Sequence, residues 1–242
     1  TRSDRDWSSD VCSSDLAGKR VTVEAAVNGL GVSEATVRRL FAELESERRL
    51  LRVHGGVCAF PAPENPYSYG RERQLRVRER DVIGRLAAGM IRSGERLFLD
   101  SGTTTRACGN ALAERLRRHE LADLVVITTS LAHSDTLARE CPVMLTGGQI
   151  RPERFDLAGP GVLGQLENYH FSTAVLGTDG IAESGALTAT DEDTARIAQT
   201  VIRNSDRVLI LADRSKIGRP SFVTYAEFDP SRMTLVSDES GV

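Results

Sequence analysis

From residue 96 onward, short apolar runs alternate with helical patterns along the chain. The runs are bounded by turn residues and lie at 97–99, 124–128, 143–145, 174–176 and 208–211. Between most of them are helical patterns, at 105–118, 131–139, 161–168 and 192–204. Alternation of this kind indicates βαβ units, in which successive strands run parallel in one sheet. The sequence therefore predicts an α/β fold with a mainly parallel sheet for residues 73–242.

The loop after the first of these strands carries the strongest signal of a binding site. Asp100, Ser101, Gly102, Thr103 and Thr104 follow a strand directly and open a helix. A glycine in a hydroxyl-rich turn exposes backbone N–H groups at a helix N-terminus, which favours anions. The alternative is an N-capped turn that binds no ligand. Because ligands of parallel sheets bind beyond the carboxyl ends of the strands, we expect an anionic ligand here.

The other strand ends are also polar or open to close approach. They supply Thr129, Ser130, Gly147, Gly148, Asp179 and Lys216. Asp and Gly are common turn residues, so each signal is weak by itself. Lys216 adds a flexible cation that can pair with phosphate. We predict that the five strand ends converge on one crevice.

Residues 17–58 contain the pattern of a winged helix-turn-helix. A short helix at 22–28 is followed by a turn at Gly29 and Gly31 and by a second helical pattern. Ser33 is a good N-cap for that second helix, and Glu34 in its first turn complements the helix dipole. A stripe at helical spacing predicts that one face packs on a core. The stripe consists of Val37, Leu40, Phe41 and Leu44.

The polar residues near the start of this second helix lie off the apolar stripe, where a helix-turn-helix presents side chains to a major groove. A basic hairpin with two glycines at its tip follows, and it is expected to contact DNA as a wing. For the helix alone, an ordinary solvated surface helix is the alternative. The residues predicted to contact DNA are Ser33, Glu34, Thr36, Arg38, Arg39, Arg52, His54 and Gly55.

Three prolines between positions 61 and 66 predict a stiff linker, at 59–72, before the larger domain. An amphipathic helix is expected over 71–92. Its apolar face is predicted to consist of Val82, Ile83, Leu86, Ala87 and Met90. The arginines that crowd its start favour a solvated face, with contacts to backbone phosphates of DNA as the alternative.

The first 16 residues differ in character from the rest. Ser-Ser-Asp recurs there at a five-residue spacing without helical periodicity, at 8–10 and 13–15. We interpret residues 1–16 as a non-native leader and exclude them from the fold. Ser14 and Asp15 stand where a winged helix-turn-helix would place apolar residues of its first helix, so that helix is expected to be missing or replaced.

Composition excludes several classes of protein. The net charge of −3 gives no global nucleic-acid signature, so any affinity for DNA must be local. The four cysteines are scattered without a Cys-x-x-Cys pair, which indicates neither a zinc site nor a disulfide framework and fits a reducing cytoplasm. No apolar run reaches the length of a membrane span. We expect no metal, no cofactor and no contact with a membrane.

The ordered set of motifs resembles that of the DeoR family of bacterial transcriptional regulators. The similar segments are 31–39, 52–56, 99–105, 128–130, 147–148, 180–181 and 211–218, and the resemblance covers roughly residues 19–238. It implies a C-terminal sensor similar to the sugar-phosphate isomerase and CoA-transferase fold. Residues 100–104 and Lys216 would bind the phosphate of a sugar or polyol, and Thr129, Asp179 and Asp193 would lie nearer its hydroxyls.

The resemblance implies a DNA-binding regulator, most simply a repressor, of a carbohydrate operon. Double-stranded operator DNA and a phosphorylated sugar or polyol would be its partners, and a two-fold operator would require at least a dimer. A sugar-phosphate isomerase with an added N-terminal module is the alternative, with Asp179 or Asp193 as base. A recognition helix and wing favour the regulator, because an enzyme has no need of them. We therefore expect no catalytic residues.

Overall fold

A computed structural model describes residues 20–46, 50–53, 56–59 and 67–238 of the chain. The chain divides between Pro66 and Tyr67 into two compact units. The expected leader, and the first helix expected to be missing from it, lie outside the described residues. Residues 67–72, expected in the linker, belong to the second unit, where the Tyr69 N–H donates to the Glu153 carbonyl at 2.7 Å.

The described residues of the first unit form two helices and a three-stranded antiparallel sheet. Helix α1 (Val23–Leu30) begins after Thr22, whose side chain accepts from the Ala25 N–H, and ends at Gly31 in the left-handed region. Helix α2 (Glu34–Ser46) is the expected second helix. The strands are β1 (Arg20–Thr22), β2 (Leu50–Val53) and β3 (Gly56–Ala59), in the order β1-β3-β2. The predicted hairpin thus gains β1 as a third strand, which the sequence did not predict.

The core of the first unit corrects one position of the apolar stripe. Val37 and Phe41 of α2 are buried together with Ala26 and Val57, and Leu44 packs against them. Leu40 is 37% exposed. It lies at the edge of the stripe on the helix surface, where the small core of this unit ends.

The second unit is built on a six-stranded sheet with small β-elements beside it. Its strands are β4 (Arg96–Leu99), β5 (Val125–Thr128), β6 (Val143–Leu145), β7 (Gln149–Arg151), β8 (Asp156–Ala158), β9 (Phe171–Gly177), β10 (Gly180–Ile181), β11 (Ala186–Ala189), β12 (Ser205–Leu211), β13 (Val223–Glu227) and β14 (Met233–Val236). The large sheet has the order β14-β12-β9-β4-β5-β6, and every neighbouring pair in it is parallel. The five predicted strands are all in it, and β14 was not predicted.

Helices cover both faces of this sheet. They are α3 (Tyr69–Glu72), α4 (Val77–Gly89), α5 (Thr103–Arg117), α6 (Leu131–Leu137), α7 (Pro160–Leu166) and α8 (Glu192–Arg203). Successive strand residues point to opposite faces. Phe98 therefore joins one apolar core, with residues of α7 and α8, whereas Leu97 and Leu99 join the other, with residues of α4 and α5. The result is a three-layer α/β domain, as predicted.

The single helix expected over 71–92 is two helices, α3 and α4, separated at Arg76 in the left-handed region. The buried face of α4 contains Ile83, Gly84, Ala87 and Ala88, whereas Val82, Leu86 and Met90 are exposed. The face with the small residues is buried because these residues allow α4 to approach α5 closely. A Cβ atom on Gly84 would lie only 2.5 Å from the Ala107 carbonyl carbon.

The arginine run before α4 is not simply a solvated face. Arg80 is buried and donates to the Leu75 carbonyl at 2.6 Å and to the Glu72 carbonyl. Arg76 donates to the Asp213 carboxylate at 3.1 Å. Two of these arginines thus fix the turn between α3 and α4 to the rest of the second unit.

Candidate functional site

The first candidate site is the exposed face of α2 in the first unit. The Ser33 hydroxyl accepts from the Thr36 N–H at 3.3 Å, as expected of an N-cap. Glu34, Arg38 and Arg39 are exposed, and Arg38 pairs with Glu34 at 2.6 Å along the helix. This face lies opposite the buried Val37 and Phe41. Of the predicted wing residues, Arg52 is on β2, and His54 and Gly55 lie outside the described residues.

The second candidate site is a cleft at the centre of the sheet in the second unit. From β4 the chain proceeds through β5 to β6 at one edge, and from β9 through β12 to β14 at the other. Strand order therefore reverses between β4 and β9. Loops that leave such neighbouring strands on opposite faces open a crevice at the carboxyl edge of the sheet, where ligands of these folds bind. The ends of β4, β9 and β12 line the cleft, whose volume is about 70 Å³.

The loop between β4 and α5 forms one wall of the cleft. Gly102 has a φ of 116° and directly precedes α5, and no side chain caps this helix. The Thr105 hydroxyl donates back to the Gly102 carbonyl at 3.0 Å. The first N–H groups of a helix have no intrahelical acceptor, so the start of α5 presents donors and a positive dipole end. Ser101, Thr103 and Thr104 bring hydroxyls to the same wall.

Asp100 links the two strands at the switch point. Its carboxylate accepts from the Ser101 N–H at 2.8 Å and from the Gly177 N–H at 3.2 Å. Burial raises the pKa of Asp100 to about 7, against the opposing effect of these two hydrogen bonds. Near neutral pH this carboxyl group is therefore partly protonated, which lowers the negative charge in the cleft lining.

Lys216 approaches the cleft from the end of β12. It closes a short 3₁₀ helix (Arg214–Lys216), and Asp213 caps this helix by accepting from the Ser215 N–H at 3.0 Å. Asp213 is 3% exposed and also accepts from Arg76. Asp213 thus fixes the start of the turn that carries Lys216, and the ammonium group of Lys216 supplies positive charge to the lining.

Two arginines that the sequence did not single out pair with carboxylates in and beside the cleft. Arg154 lines it and donates to the Thr190 hydroxyl at 2.8 Å and to the Asp179 carboxylate at 3.4 Å. Its guanidinium also lies 4.5 Å from the centre of the Tyr67 ring. Arg151 joins Asp156 to Asp191, at 2.8 and 2.9 Å. Arg151 is the last residue of β7, and Arg154 lies in the turn between β7 and β8. Only these long-range contacts show that the two arginines pair with carboxylates at the cleft.

Asp179 and Asp191 are held by structural contacts, whereas Asp193 is not held by any other described residue. Asp179 Oδ2 accepts from the Thr190 N–H at 2.8 Å and from the Thr190 hydroxyl at 2.9 Å. Asp191 is the N-cap of α8 and accepts from the Thr194 N–H. Asp193 is exposed in the first turn of α8 and does not line the cleft, whereas Thr194 does.

The strand ends of β5 and β6 do not reach the cleft. Thr129 and Ser130 are buried, and the Ser130 hydroxyl caps α6 by accepting from the Ala132 N–H. The Gly147 N–H donates to the Gln165 side chain at 3.0 Å. At Gly148 a Cβ atom would lie 2.6 Å from the Val162 side chain, so this glycine serves packing. The predicted convergence of five strand ends thus holds for three.

A buried histidine lies directly behind the loop at 100–104. One ring nitrogen of His133, Nε2, lies 3.0 Å from the Asp100 carbonyl, and Nδ1 has no hydrogen-bond partner among the described residues. Burial lowers the pKa of His133 to about 4, against the effect of the hydrogen bond to Asp100. The ring is therefore neutral near pH 7 and donates from Nε2. No local sequence pattern marks this histidine as functional.

Across the part of the chain that the structure describes, no group of three or more His, Cys, Asp or Glu residues is arranged to hold a metal ion. No helix there has the length and apolar character needed to cross a membrane.

Two protein families match the chain over adjoining segments. The DeoR-like helix-turn-helix domain matches residues 17–60, and the DeoR C-terminal sensor domain matches residues 75–239. The two matches cover most of each unit.

The curated relatives similar to this chain include bacterial repressors. The HTH-type transcriptional repressor GlcR of Bacillus subtilis is 34% identical over 87% of this chain and 79% of its own length. The glycerol-3-phosphate regulon repressor of Escherichia coli is 30% identical over 84% of this chain and 79% of its own length. The lactose phosphotransferase system repressor of Staphylococcus aureus is 30% identical, over 88% and 85%.

Among solved structures, ribose 5-phosphate isomerase A from Methanocaldococcus jannaschii is similar to the chain at 20% identity, with a TM-score of 0.43, over 57% of this chain and 53% of that chain.

Proposed function

The chain belongs to the DeoR family of transcriptional regulators, and on this premise we propose that it represses a carbohydrate operon until a phosphorylated sugar or polyol binds the cleft. Its relatives include a repressor named for a glycerol-3-phosphate regulon and one named for a lactose phosphotransferase system. In this proposal α2 and the wing bind operator DNA and the second unit senses the effector.

One observation carries the choice of effector. An uncapped helix start in a hydroxyl-rich loop faces the same cleft as Lys216. Backbone N–H groups, hydroxyls and a flexible cation together suit a phosphate group. Arg154, Thr194 and the second oxygen of Asp179 are suited to the hydroxyls of the remaining carbon chain.

The chain is a regulator and not an enzyme, as its relatives are named transcriptional repressors. In the isomerase alternative, Asp179 or Asp193 would take a proton from carbon. Asp179 is held by Thr190 and Arg154, and Asp193 lies outside the lining.

Operator release follows if the effector binds one conformation of the protein better than another, since binding then shifts the population toward that conformation. We propose a homodimer or a higher oligomer as the DNA-binding form, because a two-fold operator requires two recognition helices. The cytoplasm, where operator DNA lies, is the proposed location.

The test measures operator binding by the full chain with and without a panel of sugar and polyol phosphates. We expect at least one compound to release the operator and to stabilise the second unit. At a hundred times its dissociation constant, such a ligand adds about 2.7 kcal/mol to the free energy of unfolding. Lys216→Ala is expected to weaken this response.

Arg219→Ala is the matched control, since Arg219 is exposed and outside the cleft lining. It should leave the response unchanged. If no phosphorylated sugar or polyol changes either the melting temperature or operator affinity, the proposed effector class is wrong.

A further inference from the structure

A groove beside the cleft is lined by three arginines. It lies between the turn that joins α3 to α4 and the first turns of α5, and its volume is about 260 Å³. Arg73, Arg80 and Arg106 contribute positive charge, and Asp81 is the acidic residue in the same lining. The net charge of the lining is positive, which favours an anionic ligand.

The three arginines retain N–H groups that can donate hydrogen bonds to a ligand. Arg73 is exposed and makes no ion pair with another described residue. Arg106 uses Nη1 to donate to the Tyr69 hydroxyl at 3.0 Å, one of the five N–H donors of a guanidinium. The Nε of the buried Arg80 has no hydrogen-bond partner among the described residues.

The groove and the cleft are neighbours, because Thr103 and Arg80 line both. Thr103 is the first residue of α5, and Arg106 lies about one helical turn further along it. A ligand whose phosphate lies at the start of α5 therefore has the groove within reach of a short carbon chain.

Uncharged groups complete the lining. The amides of Gln74 and Asn110 can donate to phosphate oxygens, and Val77 is the first residue of α4. The N-terminus of α4 carries a partial positive charge, which adds to that of the arginines.

We propose that the groove is a second anion subsite and that the effector is a sugar bisphosphate. This inference rests on the proposed function, since the first phosphate lies at the start of α5. The second phosphate lies between Arg73 and Arg106. A monophosphate fills the cleft alone and leaves these arginines solvated.

The experiment compares the affinities of matched ligands for the full chain by calorimetry. The pairs are fructose 6-phosphate with fructose 1,6-bisphosphate, and glucose 6-phosphate with glucose 1,6-bisphosphate. We expect at least one bisphosphate to bind at least about tenfold more tightly than its monophosphate. The monophosphate lacks the charge-assisted hydrogen bonds of the second phosphate, and one such bond corresponds to a difference of this size. Arg73→Gln should abolish that difference and leave the monophosphate affinity unchanged.

Arg106→Gln provides a second variant, and its melting temperature shows whether loss of the Tyr69 hydrogen bond unfolds the protein. Arg85→Gln is the control, because Arg85 is exposed on α4 and outside both linings. It should retain the full preference for the bisphosphate.

Three outcomes would overturn the inference. If monophosphates bind and bisphosphates bind no better, the proposed function stands and the second subsite is wrong. If Arg73→Gln weakens operator binding while the bisphosphate preference persists, the groove contacts backbone phosphates of DNA instead. A complete absence of binding by any phosphorylated sugar overturns the proposed function as well.

Discussion

Among single residues, two arginines pair with the carboxylates in and beside the cleft. Arg154 pairs with Asp179 and Asp191, and Arg151 pairs with Asp191 and with Asp156, which is only 1% exposed. Without them the cleft would hold several carboxylates close together and would repel an anion. Removal of one partner of such a buried pair costs about 3–5 kcal/mol, because it leaves an uncompensated charge. The arginines therefore serve the fold and the site at once.

Two neighbouring residues should give opposite pH dependences of stability. The pKa of Asp100 is raised to about 7, so its contribution is present below its unfolded value of about 4 and is lost as the pH rises through 7. The pKa of His133 is lowered to about 4, so its contribution is present above its unfolded value of about 6.5 and is lost as the pH falls through 4. Between pH 4 and 6.5 the two slopes oppose each other.

We expect Asp100→Asn to expose the His133 slope. The free energy of unfolding should then rise with pH between 4.5 and 6.5, by at most about 1.4 kcal/mol per pH unit. Urea unfolding across this range measures it. Asp135→Asn is the control, since Asp135 is highly exposed, and it should reproduce the original profile. A variant whose profile matches that of the unchanged protein would show that Asp100 is ionised throughout this range.

At the scale of elements, the second unit depends on the close approach of α4 and α5. Gly84, Ala87 and Ala88 on α4 are buried against the other helix, and Arg115 of α5 donates to the Ile91 carbonyl at 3.1 Å. The first residue of α5, Thr103, lines the cleft, and the first residue of α4, Val77, lines the groove. The packing of the two helices therefore fixes the position of the cleft relative to the groove.

Gly84→Ala should therefore destabilise the protein by about 1–3 kcal/mol, as expected of overpacking. The added Cβ atom would lie 2.5 Å from the Ala107 carbonyl carbon and 2.7 Å from the Cys108 nitrogen. Gly89→Ala on the same helix has nothing within 4 Å and should stabilise by about 0.4–1 kcal/mol. Equal unfolding midpoints of the two variants in urea would contradict the tight packing.

At the scale of the whole molecule, the two candidate sites lie in different units. The exposed face of α2 belongs to the first unit, and every residue that lines the cleft belongs to the second. DNA binding and effector binding should therefore respond to different substitutions.

We expect Arg39→Ala to weaken operator binding and to leave the affinity for the effector unchanged. Arg39 is exposed on α2, whereas Arg38 is already paired with Glu34. If Arg39 contacts a phosphate of the DNA backbone, the slope of the logarithm of the binding constant against the logarithm of salt concentration should become shallower by about one. Arg85→Ala in the second unit is the control, and full operator affinity in both variants would mean that the reading face lies elsewhere.

Five of the six strands of the large sheet, the helices between them and the two helices of the first unit follow from the sequence alone. The alternation of apolar runs and helical patterns predicted the parallel sheet, and the hydroxyl-rich loop at 100–104 was identified as one wall of a site. Ser33, Val37 and Phe41 likewise predicted the position and orientation of α2. These signals are local, since caps, turn residues and hydrophobic periodicity act within a few residues of the chain.

Which strand ends meet and which side chains are buried depends on the tertiary structure. Strand order joins β4 to β9 and β12, so Asp179 and Lys216 reach the cleft while Thr129 and Gly147 do not. Arg154 is held in the cleft by hydrogen bonds to residues 25 and 36 positions away, and His133 is buried behind the loop by packing. Such contacts follow from strand pairing and helix packing between distant segments, which local periodicity does not encode.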